Sequence, residues 1–227
     1  VVSGPKARQL MQKVSRSDFS NERFKWLSAQ NVNIGLAPCS AMRVNFVGEL
    51  GWELHHPIEY QNHIFDQLMK AGKEFGLKPY GIRAMNSLRV EKSYKLVGTE
   101  LSIEYSPYES GLDRFIHPNK GDFIGRAALD KWRAKGFSNK LVTMEIHGVT
   151  DADVLGNNPI YDNGSVVGRA TSGDFGFRLN KSIALGMVKP ELARVGQKLK
   201  IDILGKMHEA SIVEDSPYDT DNKLLRA

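Results

Sequence analysis

Cysteine is nearly missing from this sequence. Cys39 is the one cysteine in 227 residues, which excludes an intrachain disulfide and any zinc site built on paired thiolates. Long apolar runs are missing as well: no stretch reaches the roughly 18 to 20 residues of a membrane-spanning helix, and no signal-peptide, Arg-rich transit or lipidation pattern occurs. Phosphate loops, dinucleotide fingerprints, nucleophile elbows and cysteine-nucleophile motifs are also lacking, so those chemistries have no anchor here. Basic residues never gather into a run. The 31 Lys and Arg are dispersed among 26 Asp and Glu, leaving a net charge of +5 and a pI near 9.2. The basic balance favours an anionic partner, and the dispersion favours a solvated surface with one basic pocket over a nucleic-acid stripe. The sequence opens with Val1-Val2-Ser3-Gly4-Pro5 in place of methionine, and is expected to be the downstream part of a longer polypeptide. The bacterial cytoplasm is the expected compartment, with the mitochondrial matrix as the alternative.

Histidines give no metal centre either. His55 and His56 are neighbours, which point to opposite faces of a strand, and no carboxylate pair stands at ligand spacing beside them or His63. They are expected to be surface or packing residues.

What is present centres on residues 43–54, Arg-Val-Asn-Phe-Val-Gly-Glu-Leu-Gly-Trp-Glu-Leu. Val44 and Phe46, then Trp52 and Leu54, alternate as strands do, and Gly48 and Gly51 between them allow a bulge or turn. The pattern predicts strand, tight turn, strand, with Glu49 where the backbone bends. From these residues alone Glu49 is either a solvated turn carboxylate or a ligand contact.

Around that stretch the hydrophobic periods alternate. The chain is expected to begin with the end of a strand whose partners are absent. A helix then carries Ala7, Leu10, Met11 and Val14 on one face, and Ser20-Asn21-Glu22 caps a second short helix with Phe24 and Leu27. Strands are predicted over 32–36 and 41–47. Helical spacing returns after Pro57 through Ile58, Ile64, Phe65, Leu68, Met69 and Phe75, with Gly76 as its stop, and again over 81–94. Residues 98–121 read as loop with a short strand at 112–116, and 124–132 as a last helix. Beyond Lys135-Gly136-Phe137-Ser138-Asn139 the pattern is strand after strand: 140–147, a hairpin at Asp162-Asn163-Gly164, and 198–204 paired with 209–213 across Gly205-Lys206. The expected class is α+β: helices over a mixed or antiparallel sheet in residues 1–135, then a small antiparallel β-barrel in 136–227.

Four spaced segments carry a resemblance. Val-Gly-Glu-Leu-Gly-Trp-Glu-Leu at 47–54, Gly-Ile-Arg-Ala-Met-Asn-Ser-Leu-Arg-Val-Glu-Lys at 81–92, Lys-Gly-Asp-Phe-Ile-Gly-Arg at 120–126 and Val-Val-Gly-Arg-Ala-Thr-Ser-Gly at 166–173 occur in order. Together they closely resemble the folate-binding half of dimethylglycine and sarcosine dehydrogenases, a half that belongs to the glycine-cleavage T-protein (aminomethyltransferase) family.

That resemblance implies a truncated T-protein folate-binding fold and a tetrahydrofolate held in a central cavity. Glu49 matches the glutamate that accepts two hydrogen bonds from the pterin amino and ring N–H groups, a task suited to an acceptor-only, bidentate group. Phe46 stands where the family usually has tyrosine, keeping a stacking surface without the hydroxyl. Trp52 is expected in the core with a pterin-stacking role. The family's Ala-Arg-Asp-Ser-Leu-Arg is here Ala84-Met85-Asn86-Ser87-Leu88-Arg89, so Arg83 is expected to replace the first arginine near the folate's glutamate tail. Arg89 and Glu91 are expected to be structural partners, and Arg169, with Thr171 and Ser172, to line the approach to the folate. No catalytic residue is expected in the chain, because the family's aspartate belongs to an Asn-Gly-Gly-Ile-x-Asp-Asp-type motif preceding the Gly-Pro helix. The 227 residues alone are expected to be inactive. The resemblance further implies an upstream flavin (FAD) domain that oxidises a small N-methyl amine, whose carbon the folate captures as 5,10-methylenetetrahydrofolate. No nucleic-acid or membrane partner is expected. The readings weighed against this one are a stand-alone aminomethyltransferase, which Leu50-Gly51-Trp52 disfavours, a non-catalytic folate-binding or scaffold module, and a basic RNA-binding protein.

Overall fold

The computed structural model describes residues 1–149 and 151–227. By contact the chain forms two compact units, Val1–Met85 with Asp219–Ala227, and Asn86–Tyr218.

In the first unit, β1 (Val2–Ser3) leads through Gly4 and Pro5 into α1 (Ala7–Val14), whose buried residues Ala7, Leu10, Met11 and Val14 recur at i, i+3, i+4 and i+7 as expected. Strands β2 (Ala29–Ile34), β3 (Ala37–Met42) and β4 (Gly51–His55) complete an antiparallel sheet ordered β1-β4-β3-β2. The first strand does have a partner, contrary to the sequence expectation: Val2 and Ser3 lie opposite Trp52 and Gly51. Gly51 makes that pairing close, since a Cβ there would sit 2.5 Å from the Val2 carbonyl oxygen.

Residues 20–27 form turns, with Leu27 at a φ of 59°, where a second short helix was expected. Packing overrides the capping signal. Phe24 and Phe19 are fully buried, their rings 5.3 Å apart, and both meet Trp52 edge-on at 6.0 and 5.2 Å. The strand expected over 41–47 ends at Met42, and residues 43–50 are a chain of bends. Helix α2 (Gln61–Gly72) follows a 3₁₀ turn at Ile58–Tyr60 and is closed by Gly76 in the left-handed region, φ 72°. Its buried face is narrower than its apolar spacing, for Ile64 is buried while Ile58 and Phe65 are exposed.

Helix α3 (Ile82–Val90) bridges the two units in sequence. In the second unit a 3₁₀ turn at Asp113–Phe115 replaces the short strand expected at 112–116, and α4 (Arg126–Lys135) buries no residue. Then come β5 (Lys140–Ile146), β6 (Pro159–Asp162), β7 (Ser165–Gly176), β8 (Lys181–Val188), β9 (Lys198–Ile203) and β10 (Lys206–Val213). They close into the expected antiparallel barrel, ordered β10-β5-β8-β7-β6-β9, around Met144, Ile160, Ala184, Ile201 and Ala210. Asn163 and Gly164, φ 47° and 80°, make the predicted two-residue hairpin. The β9–β10 turn is Leu204-Gly205, φ 52° and 81°, one residue earlier than the sequence signal. A short terminal helix, α5 (Lys223–Arg226), belongs to the first unit.

Among the described residues no helix is long and apolar enough to cross a membrane.

Candidate functional site

Between β3 and β4 the backbone is organised by one side chain. Asn45 Oδ1 accepts from the amides of Val47 and Gly48 at 3.0 and 2.9 Å, while its Nδ2 donates to the Glu49 carbonyl. These three bonds wrap residues 45–49 into a closed loop, with Gly48 at a φ of 72° supplying the left-handed step. Short-range polar bonds and one glycine thus replace the expected strand ladder. The loop carries Phe46 and Glu49, both half-buried, one ring and one carboxylate three residues apart. An acceptor-only group beside an apolar plane suits a flat heterocycle with N–H donors on its edge.

Trp52 lies just beyond the loop, at 0 % exposure. Its ring is enclosed by Phe19 and Phe24, with the guanidinium carbons of Arg8 and Arg43 at 5.5 and 5.9 Å. Such a ring has no surface left for a stacked ligand, so its part is to anchor β4 and with it the end of the loop. Arg43, itself buried, fixes the other end by donating to the Phe24 carbonyl at 2.8 Å and to the Arg226 and Ala227 carbonyls at 3.0 Å each. Burial, then the neighbouring charge of Arg8, pull the Arg43 pKa down. Arg83 stands exposed on the first turn of α3 in the same unit.

Arg169 belongs to the second unit, on β7. Its Nε donates to the Tyr105 hydroxyl at 2.9 Å and its Nη1 to Asn157 Oδ1 at 3.3 Å, and it pairs with Glu104. A β-bulge between Ala170 and Ser172 gives β7 an extra residue, Thr171. Arg169 and Ser172 pair with Met187 and Leu185, residues of one outer cluster, so the bulge returns Ser172 to the face that Arg169 occupies. His55 pairs with Glu53 at 3.3 Å, His56 meets the Pro57 carbonyl at 2.9 Å, and no group of metal-ligating side chains is found among the described residues.

The comparisons with known proteins decide the family. The description "GCVT N-terminal domain" matches residues 1–120, and "Glycine cleavage T-protein C-terminal barrel domain" matches residues 139–219. The chain belongs to the glycine cleavage T-protein family. Its relatives include the mitochondrial dimethylglycine dehydrogenase of Homo sapiens, 39% identical over 94% of this chain and 25% of that protein, and the mitochondrial sarcosine dehydrogenase of Mus musculus, 34% identical over 99% and 25%. The aminomethyltransferase of Thermoanaerobacter pseudethanolicus is 32% identical over 98% of this chain and 60% of its own length. The chain therefore spans about a quarter of each dehydrogenase. The fold agrees with the crystal structure of glycine cleavage system aminomethyltransferase T from Bartonella henselae, at a TM-score of 0.82 and 22% identity over 96% of this chain and 58% of that one.

In this T-protein-family chain Arg89 and Glu91, expected to be structural partners, each bond to other groups. Arg89 Nε and Nη2 donate to Asn86 Oδ1 at 2.9 and 2.8 Å, and its Nη1 donates to the Tyr94 carbonyl at 3.0 Å and faces Glu100 at 3.6 Å. Asn86 in turn donates to Asp174 at 2.7 Å. Glu91, fully buried, accepts from the Arg178 and Leu179 amides at 2.7 and 3.1 Å and pairs with Arg178. Sequence reasoning missed Glu100, which accepts from Ser172 at 2.6 Å and from the Leu96 amide and Thr99 at 2.8 Å each. It missed Asn45 as well, although an asparagine three residues before a glycine was a readable turn signal.

Proposed function

We propose that this chain is the tetrahydrofolate-binding, one-carbon-transfer portion of a dehydrogenase acting on an N-methylglycine such as dimethylglycine or sarcosine. The observation that carries the reading is the Asn45-bound loop, which holds together Glu49 and Phe46, the two residues proposed to meet the pterin. When bound, tetrahydrofolate supplies the nitrogens that take up a carbon at the formaldehyde oxidation level, giving 5,10-methylenetetrahydrofolate.

The chain's own share is binding and orientation. Glu49 accepts from the pterin's amino and ring N–H groups and so fixes the ring's rotation, while Phe46 covers one face of it and limits water. Arg83, exposed and cationic, is proposed to meet the glutamate tail. Trp52 takes no part in stacking here; it holds the strand that carries the loop. Arg169 stays in the proposal as a residue of the barrel, and engages an anionic ligand group by exchanging Glu104 for it. No catalytic group is assigned to the chain, and the oxidation that generates the carbon is proposed to be flavin (FAD) chemistry elsewhere in the polypeptide. The domain boundary is proposed at 135–136, in the interval between the two family matches. A stand-alone aminomethyltransferase is the second reading, favoured by the larger share of that relative the chain covers.

A thermal-shift titration with tetrahydrofolate, run beside an RNA oligonucleotide at low and raised salt, tests the proposal. A salt-tolerant rise in melting midpoint with tetrahydrofolate is the expected result. A steeply salt-dependent response to RNA, without one to folate, would overturn it.

A further inference from the structure

We propose that the cleft formed by the C-terminal end of α1, the β2–β3 turn and α2 binds a small multivalent anion bearing phosphate or several carboxylates. The cleft has a volume of about 980 Å³ and lies wholly within the first unit. That size suits a ligand of metabolite dimensions. Its charged lining residues, Lys13, Arg16 and Lys70, are all basic. The remaining polar lining is rich in donors.

Three elements supply this chemistry. His63, Gln67 and Lys70 are spaced i, i+4 and i+7 on α2, so they share one face of the helix. Lys13, near the end of α1, and Arg16, just past it, approach from the other side, and Asn33 at the end of β2 adds an amide. His63 Nε2 accepts from the Leu36 amide at 3.3 Å, which leaves Nδ1 as the protonated, donating nitrogen. The turn can lie on that ring because residue 35 is glycine: its φ is 57°, and a Cβ would stand 2.7 Å from His63 Nε2.

Acidic groups near the cleft are few. Glu74 pairs with Lys13, both about half exposed, a contact that adds little attraction in water and yields readily to a better anion. Asp18 accepts from the Ser20 amide at 2.8 Å. Arg16 and Lys70 form no ion pair among the described residues, although Asp66 stands one turn before Lys70 on α2, so both guanidinium and ammonium are open to an anion in the concavity. A donor-rich cleft with three cations repels metal ions and serves a neutral apolar ligand poorly. It favours an acceptor with at least two negative charges.

This site is separate from the Glu49 loop. Strand β3 starts at Ala37, beside the cleft, and ends at Met42, where the loop begins, and six extended residues span on the order of 20 Å. The inference therefore stands whether or not the folate reading does.

The test is calorimetry and thermal shift on the 227-residue chain with inorganic pyrophosphate in one arm and citrate in the other, with chloride at matched ionic strength as the control. At least one arm should raise the melting midpoint beyond chloride, and the stronger arm tells phosphate from carboxylate chemistry. Arg16→Gln/Lys70→Gln should weaken that binding by about tenfold or more, Arg16→Glu/Lys70→Glu should abolish it, and Glu49→Ala should leave it unchanged. All three positions being solvent-facing or half-buried, these variants keep the fold. No response beyond chloride in either arm, or a response that survives the charge reversal, overturns the proposal.

Discussion

Asn45 spends its whole side chain on the backbone of the loop that carries Phe46 and Glu49, so a change there acts on geometry and leaves the ligand-facing groups in place. Asn45→Ala leaves two loop amides without their acceptor. We expect a loss of about 1–3 kcal/mol in stability together with weakened folate binding, read by urea unfolding and by titration. Trp52→Ala should act on stability much more strongly, by about 3–5 kcal/mol, because a fully enclosed indole leaves a large cavity. Glu100 and Glu109 set the acid response. Burial pushes both carboxyls up, but hydrogen bonds to Glu100 from Ser172, Leu96 and Thr99, and to Glu109 from Ser106, Asn139 and Ser138, together outweigh it and hold both below 4.5. A carboxylate depressed in the folded state stabilises the fold above its unfolded value and loses that contribution as pH falls. The chain should therefore keep its stability from neutral pH down to about pH 5 and lose it progressively below. Urea midpoints measured across this range check the direction, and Glu109→Gln should flatten the acid limb.

The two barrel hairpins offer opposite predictions at the level of elements. Gly164→Val forces a β-branched residue to a φ of 80° and should destabilise by about 1–2 kcal/mol or more. Leu204→Asn relieves the reverse fault, an exposed leucine at a φ of 52° before Gly205. It should stabilise by about 1 kcal/mol, because Asn-Gly is the pair that this turn geometry favours. Calorimetric melting of both variants decides. These hairpins also mark how far the sequence could be read. Asn163-Gly164 was legible because both residues tolerate the left-handed region. Leu204 concealed its turn because leucine is a strand former, and tertiary closure of the barrel imposed the backbone on it. The helices α1 and α2 were legible from apolar spacing. The helix expected over 20–27 was not formed because Phe19, Phe24 and Trp52 bury one another more favourably than a short capped helix could bury Phe24 alone. At the site, Glu49 and Phe46 were recognisable by motif. The partners of Arg169 were not, since Glu104, Tyr105 and Asn157 lie 65, 64 and 12 residues away in sequence and no local period connects them.

At the level of the whole molecule, family membership rests on two matches, 1–120 and 139–219, and the function proposed on it rests on a loop of five residues. The chain spans a quarter of the dehydrogenases it resembles, which makes its own ligand the property to measure first. Isothermal titration of tetrahydrofolate into the 227-residue chain and into Glu49→Ala is the most direct measurement, with circular dichroism to establish that both are folded. The account predicts saturable binding by the native chain and a loss of about 2–3 kcal/mol in the variant, the worth of charge-assisted hydrogen bonds to the pterin edge. Equal affinity in two folded proteins, or no binding by the native chain, would contradict it.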